Sequence, residues 1–152
     1  MTQKPFDIAD IRLRDFRTED YDALIELWKK AELGYKPKGR DRREKIADEL
    51  ERGIARFILA EFDGELISSI IATQDGRKGW INRVAVDPQY RGYGLAQLLV
   101  TEAEKILHEQ GLDILTCLVE AENVASQKLF EKMGYVRWDG LVYYSKRRYK
   151  DV

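Results

Sequence analysis

The segment from Trp80 to Val100 constrains the fold most, because a strand pattern, a glycine turn and a helix pattern follow one another directly. Alternating apolar residues predict a strand that ends at an Asp-Pro pair, and Leu95 opens a helical pattern after the turn sequence RGYG. The first N–H groups of a helix have no intrahelical partner and lie at the positive end of its dipole. The order therefore predicts an anion site, where Gly92 and Gly94 let the backbone approach a phosphate closely.

The residues of this turn narrow the class of ligand. A Walker loop needs Gly-Lys-Ser/Thr at the helix start, and a dinucleotide fingerprint needs a third glycine near Gln97; neither is present. The pattern Arg91-x-x-Gly94-x-Ala96, after a Val-Asp-Pro strand end, resembles the acyl-coenzyme A signature of the GNAT acetyltransferase superfamily. The segment from Asn123 to Tyr135, NVASQKLFEKMGY, resembles a later helix of the same family.

The resemblance implies a mixed α/β fold with the element order βααβββαβαββ. A central, mostly antiparallel sheet with splayed middle strands would be flanked by four helices, and residues 1–152 would form a single N-acetyltransferase domain. Strand patterns cover Ile11 to Phe16, Phe57 to Phe62, Glu65 to Thr73, Ile81 to Val86, Leu112 to Val119, Val136 to Trp138 and Leu141 to Tyr149.

Four helical patterns separate these strands. The first has its cap near Thr18 and ends near Gly34. The second is predicted to start at Asp41, with Glu44 as its capping-box partner and a buried stripe of Ile46, Ala47, Leu50 and Ile54. The last two run from Gly94 to about Gln110 and from Asn123 to Met133.

The resemblance also implies acetyl-CoA as the co-substrate and assigns residues to it. Backbone groups of the central strand would hold the pantetheine and the acetyl carbonyl, while N–H groups of the turn and helix would hold the pyrophosphate. Asn123 would bond the pantetheine arm, although it could equally cap its helix, and Phe130 could pack on the cofactor or in the core. The expected cofactor-binding residues are Val84, Ala85, Val86, Arg91, Gly92, Tyr93, Gly94, Leu95, Ala96, Gln97, Asn123 and Phe130.

The positions that usually exchange protons in this family are apolar in this chain. Many members place a tyrosine seven residues after the asparagine, and one branch carries a glutamate five residues before it. Phe130 and Leu118 stand at these positions, and neither side chain can donate or accept a proton. Glu120 and Tyr143 are therefore the predicted catalytic residues, with further alternatives at Glu122, Asp75, Asn82 and Tyr144.

Composition limits the partners that we expect. Charged residues make up 35% of the chain but balance to a net charge of -1, which gives no argument for nucleic acid or an anionic membrane. The first ten residues lack the apolar stretch of a signal peptide, which predicts a cytoplasmic protein. One histidine and one cysteine cannot assemble a zinc ligand set, so no metal site is expected.

The predicted function is transfer of acetyl from acetyl-CoA to a primary amine, by direct attack in a ternary complex. The acceptor amine could be a protein N-terminus, a lysine or a small molecule. The apolar residues Phe130 and Leu118 keep a non-catalytic acyl-CoA sensor open, and an interaction module on the same fold is a further alternative. The chain could be a monomer or a homodimer, because a tyrosine-rich last strand could pair with a second copy.

Overall fold

A computed structural model describes residues 6–152 of the chain. Residues 1–5, part of the N-terminal segment used to predict the location, lie outside the described residues. The strands are β1 (Arg12–Asp15), β2 (Ala55–Phe62), β3 (Glu65–Gln74), β4 (Lys78–Val86) and β5 (Ile114–Thr116). The α-helices are α1 (Tyr21–Lys30), α2 (Arg43–Glu51), α3 (Leu95–Glu109) and α4 (Val124–Lys132).

The strands form one mixed sheet in the order β1-β2-β3-β4-β5. Neighbours from β1 to β4 are antiparallel, and β5 is parallel to β4. Asp63 and Gly64 both have positive φ, 53° and 80°, as the predicted two-residue hairpin turn between β2 and β3 requires. The mixed α/β fold implied by the sequence resemblance is confirmed.

Apolar residues are buried on both faces of the sheet, because helices cover both faces. The β3 residues Ile67 and Ile70 belong to the core that packs under α3. Their neighbour Ile71 belongs to a second core, together with Leu24 and Trp28 of α1 and residues of α2. The strand therefore reads as a nearly continuous buried run, as strands covered on both faces do.

The prediction of two final strands, from Val136 to Trp138 and from Leu141 to Tyr149, is wrong. Residues 136–148 form no backbone hydrogen bond with any part of the chain that the structure describes. Alternating apolar residues indicate a tendency to be extended, but a strand exists only beside a partner that takes its N–H and C=O groups. Within residues 6–152, the structure therefore lacks the last two strands of the predicted order βααβββαβαββ.

The second helix, α2, also starts later than the predicted residue Asp41. α2 begins at Arg43, and Asp41 is not its cap, because the Asp41 carboxylate turns inward and accepts a hydrogen bond from the Lys36 N–H at 2.5 Å. Ile46 is buried as expected, whereas Ala47 is exposed and Ile54 lies beyond the helix end. The strand β5 is shorter than predicted, since its pairing with β4 ends at Thr116.

Candidate functional site

A gap opens in the sheet where β4 and β5 separate. The two strands pair only from Lys78 to Trp80 and from Ile114 to Thr116, whereas β4 continues to Val86. The second half of β4 thus has no strand on its β5 side among residues 6–152. This is the splay that the sequence resemblance implied, and it leaves part of the β4 backbone available to a ligand.

The backbone of Val86 faces this gap. The Ala85 carbonyl accepts a hydrogen bond at 2.7 Å from the hydroxyl of Ser68 on β3, and the Asp87 N–H donates to the Ile67 carbonyl at 2.8 Å. Peptide groups of successive residues point to opposite edges of a strand. The N–H and C=O of Val86 therefore point away from β3, towards β5.

A bulge in β4 links the gap to the loop before α2. The ladder pairs Ser69 with Ala85 but Ile71 with Asn82, so β4 carries an extra residue, and Arg83 within it has φ of 50°. The guanidinium of Arg83 lies 2.5 Å from the carboxylate of Asp41. This pair could not be predicted from the sequence, because Asp41 also fits the pattern of a helix cap.

The turn after β4 presents unpartnered backbone donors. Gly92 and Gly94 have φ of 85° and 83°, values that L side chains rarely adopt. Gly94 caps α3, and its carbonyl accepts from the Leu98 N–H at 3.0 Å. The backbone N–H groups from Gly92 to Gln97 donate no hydrogen bond to any acceptor among residues 6–152. The exposed guanidinium of Arg91 likewise forms no ion pair with a carboxylate of residues 6–152.

Aromatic side chains support the turn from behind. The ring centroid of Phe6 lies 4.6 Å from that of Tyr93 and 5.1 Å from that of Tyr90. Tyr93 is half exposed, and the first two residues of α3, Leu95 and Ala96, are buried and half-buried. The position of Phe6 could not be predicted from the sequence, because a single phenylalanine before the first strand belongs to no periodic pattern.

Asn123 lies at the start of α4, beside Glu120. Its side-chain oxygen accepts from the Ser126 N–H at 3.2 Å, so it caps the helix, and its own N–H donates to the Glu120 carbonyl at 2.9 Å. Phe130 is 6% exposed and packs edge-on against Tyr135, with ring centroids 5.0 Å apart. Of the two open readings of Phe130, core packing is thus the one that the structure shows.

The structure does not bring the two predicted catalytic residues into contact. Glu120 is exposed, and its carboxylate has no partner in the described part of the chain. Tyr143 is 68% exposed and lies in the unpaired segment 136–148, as does Tyr144. Leu118 is 59% exposed. Of Glu120, Tyr143, Tyr144 and Leu118, only Glu120 is hydrogen-bonded to a predicted cofactor-binding residue: its backbone carbonyl accepts from the Asn123 N–H.

Three other polar groups on or beside β4 and β5 have identifiable environments. The Asp75 carboxylate accepts hydrogen bonds from the backbone N–H groups of Lys78 and Arg77, which hold its pKa below the usual value. These bonds make the carboxylate part of the turn between β3 and β4. The Asn82 amide donates to the Thr73 hydroxyl at 3.4 Å. Burial raises the pKa of the Cys117 thiol to about 11, so the thiol is protonated at neutral pH.

Two classes of feature are not found within residues 6–152. No group of three or more His, Cys, Asp or Glu side chains is placed to hold a metal ion. None of the helices in the same range is both long enough and apolar enough to cross a membrane.

The sequence profile of the acetyltransferase (GNAT) family matches residues 13–135, a range that includes the gap, the turn and Asn123. The chain belongs to the GNAT acetyltransferase family. An acetyltransferase of Sodalis glossinidius is 31% identical over 141 residues, which are 93% of this chain and 98% of that protein. An acetyltransferase of Pectobacterium atrosepticum is 31% identical over 125 residues, 82% of this chain and 87% of the relative.

Solved structures share the GNAT fold. The PaiA N-acetyltransferase of Thermoplasma acidophilum, in complex with coenzyme A, has a TM-score of 0.75 and 23% identity, and the match covers 85% of this chain and 91% of that one. The GNAT protein described here is thus an acyltransferase, and family membership confirms the acetyl-CoA co-substrate that the sequence resemblance implied.

The donor groups of this GNAT protein fit that co-substrate. A pyrophosphate presents negative charge and several acceptor oxygens, and the free N–H groups from Gly92 to Gln97 supply donors at a helix N-terminus. The side chain of Arg91 adds a cation that can form charge-assisted hydrogen bonds. The backbone of Val86 adds a donor and an acceptor in the gap that leads away from this turn.

Proposed function

We propose that residues 1–152 form a single N-acetyltransferase domain that moves acetyl from acetyl-CoA to a primary amine by direct attack in a ternary complex. The observation that carries the proposal is the row of unpartnered N–H groups from Gly92 to Gln97, placed beside the splayed end of β4. An amine acceptor is supported by the N-acetyltransferase of Thermoplasma acidophilum, which shares the fold.

In this proposal the turn after β4 and the two sides of the gap bind different parts of acetyl-CoA. The N–H groups from Gly92 to Gln97 and the Arg91 guanidinium hold the pyrophosphate. Backbone groups of Val84 and Val86 hold the pantetheine, and the Asn123 side chain contacts it from the other side. The remaining predicted residues support these groups: Ala85 and Leu95 are buried in the core, Tyr93 packs on Phe6, and Phe130 of α4 packs against Tyr135.

The chemistry then requires few side chains. Acetyl-CoA supplies the acetyl group as a thioester. The amine nitrogen attacks the carbonyl carbon, the C–S bond breaks, and coenzyme A leaves as a thiolate that takes up a proton from solvent. The Val86 N–H, which points into the gap, is placed to donate to a carbonyl oxygen on which negative charge develops. Glu120 accepts the proton of the acceptor amine, directly or through water. Direct transfer is favoured over an acyl-cysteine route, because Cys117, the one cysteine of the chain, is a protonated thiol with a pKa of about 11.

The acceptor amine is proposed as a class: a protein N-terminus, a lysine or a small amine. The balanced charge supports neither a nucleic acid nor a membrane as partner.

Thiol release from acetyl-CoA, measured with a panel of peptide and small-molecule amines, tests this proposal. Glu120→Gln is expected to lower kcat about 100-fold, because a general base contributes about 100-fold or more, and to leave the KM for acetyl-CoA unchanged. Glu109→Gln is the control, since it removes an exposed carboxylate at the end of α3 that is not a predicted catalytic residue, and it should retain activity. Equal activity of both variants would exclude Glu120 as the base.

The same assay separates the second candidate function, a non-catalytic acyl-CoA sensor. Apolar Phe130 and Leu118 at the usual proton-exchange positions favour this reading. A sensor would bind acetyl-CoA without thiol release for any amine in the panel, and an interaction module would not bind it at all.

A further inference from the structure

The segment before β1, residues 6–11, lies against the turn that precedes α3. Phe6 contacts Tyr93 of this turn, with ring centroids 4.6 Å apart and ring planes at 72° to each other. Ile8 lies beside the turn as well, because a Cβ added at Gly94 would be 3.9 Å from the Cδ1 atom of Ile8. The segment before β1 therefore contacts the proposed phosphate site, although the two are far apart along the chain.

This segment has a defined backbone conformation. One turn of 3-10 helix, Ile8–Asp10, follows Phe6, and the Asp7 side chain caps it by accepting from the Ala9 N–H at 2.9 Å. The Ile11 N–H donates to the Ile8 carbonyl at 3.2 Å, and the Ile11 side chain packs against the core under α3. Phe6 is thus joined to β1 by a short, hydrogen-bonded stretch of chain.

Phe6 connects Tyr93 to the core of the molecule. Its ring lies edge-on to Phe62, at the end of β2, and to Tyr90, with centroid distances of 5.0 and 5.1 Å. Phe6, Phe62 and Tyr90 all pack against the core under α3. Tyr93, by contrast, is 50% exposed. The ring of Phe6 therefore links an exposed side chain of the turn to side chains that the core holds in place.

Hydrogen bonds do not fix the turn at this point. No backbone–backbone hydrogen bond within residues 6–152 involves Gly92 or Tyr93. A glycine stands on each side of Tyr93, and glycine can adopt more backbone conformations than any other residue. The packing of Tyr93 on Phe6 therefore selects one conformation of the turn, in which its free N–H groups lie at the start of α3.

We propose that Phe6 is a positioning residue for acetyl-CoA, which acts through Tyr93 to hold the turn after β4 in the conformation that binds the pyrophosphate. A turn that is already ordered loses less conformational entropy when its ligand binds, so the affinity is higher. The thioester reacts in the gap at Val86 and not at the turn, so Phe6 affects binding and not the chemical step. The inference rests on the proposed function, in which the turn holds the phosphates.

Calorimetric titration of acetyl-CoA into the wild type, Phe6→Ala and Phe16→Ala gives the first test. Phe16 is the matched control, because it is a half-buried phenylalanine just beyond the other end of β1 and packs on Phe57 in the second core. Phe6→Ala is expected to raise the Kd about tenfold, because it removes three ring contacts. Phe16→Ala should leave the Kd unchanged, although it also loses packing. Equal Kd values for the wild type and Phe6→Ala would overturn the proposal.

A double-mutant cycle with Tyr93→Ala tests the route through Tyr93. The side chain of Tyr93 is half exposed, so this variant should fold normally. It is expected to raise the Kd by about the same factor as Phe6→Ala, and the double variant should bind no more weakly than either single variant. Effects that multiply in the double variant, or an unchanged Kd for Tyr93→Ala, would overturn the proposal.

The thiol-release assay separates positioning from a general loss of structure. For Phe6→Ala the KM for acetyl-CoA is expected to rise, while kcat at saturating acetyl-CoA stays at the wild-type value, because only binding is weakened. A lower kcat with an unchanged KM would contradict a role in binding.

Gly94→Trp distinguishes failure of this inference from failure of the proposed function. If Gly94→Trp loses acetyl-CoA binding while Phe6→Ala binds as tightly as the wild type, the turn still holds the phosphates and only the role of Phe6 is overturned. If Gly94→Trp binds acetyl-CoA as the wild type does, the turn is not the phosphate site, and both the proposed function of the turn and the role of Phe6 fail.

Discussion

Arg83 shows how one residue is held in an unfavourable backbone conformation beside the site. Its φ of 50° costs about 1 to 3 kcal/mol for a residue other than glycine. Contacts offset this cost: the guanidinium pairs with Asp41 and lies 4.8 Å above the ring of Trp28. The backbone of Asp41 is fixed in turn, because its carbonyl accepts from the Tyr21 hydroxyl at 2.7 Å. The β4 bulge is therefore tied to the loop before α2.

Removing the charge of Asp41 should be strongly destabilising. The side chains of Arg83 and Asp41 are only 13% and 6% exposed, so Asp41→Asn would leave a buried guanidinium without its carboxylate. We expect the free energy of unfolding in urea to fall by about 3 to 5 kcal/mol.

Asp22→Asn is the control for this substitution, because it breaks a pair with Arg43 in which Asp22 is 89% exposed. A loss below about 1 kcal/mol is expected there. A similarly small loss for Asp41→Asn would contradict the role of the pair in holding the bulge.

The elements around the gap are locked together at its closed end. α3 packs across β4 at Gly79, where an added Cβ would lie 2.8 Å from a methyl of Leu107 and 3.0 Å from one of Leu115. The backbone of Gly79 is ordinary, so space and not φ requires glycine here. The Thr116 hydroxyl donates to the Gly79 carbonyl at 3.1 Å. The strands are thus held together at this point and diverge beyond Trp80.

Gly79→Ala is expected to lower the free energy of unfolding by about 1 to 3 kcal/mol, because the extra methyl overpacks the contact between α3, β4 and β5. Thermal unfolding measures the effect. Gly34→Ala is the matched control, since no atom lies within 4 Å of its added Cβ, and it should be neutral or slightly stabilising. Equal midpoints for the two variants would show that Gly79 is not a packing requirement.

At the scale of the whole molecule, features encoded by neighbouring residues could be predicted and features that join distant residues could not. The turn at Gly94 and the hairpin at Asp63 and Gly64 depend on local backbone conformation, which residue type reveals directly. The pairing of Arg83 with Asp41 joins separate segments, and the local pattern around Asp41 equally suits a cap. Residues 136–148 show the same limit, because alternation of apolar residues predicts an extended segment but not whether a partner strand is present.

The turn after β4 matters most to the proposed function, in which it holds the phosphates of acetyl-CoA. Gly94 and Gly111 lie at opposite ends of α3, both with left-handed φ, 83° and 88°. A tryptophan at either position brings similar backbone strain, but only the one at Gly94 obstructs the free N–H groups.

Calorimetric titration of acetyl-CoA into the wild type, Gly94→Trp and Gly111→Trp therefore tests the claim most directly. We predict micromolar binding, about -8 kcal/mol, to the wild type and to Gly111→Trp, and none to Gly94→Trp. No detectable binding by the wild type, or equal binding by the two variants, would contradict it.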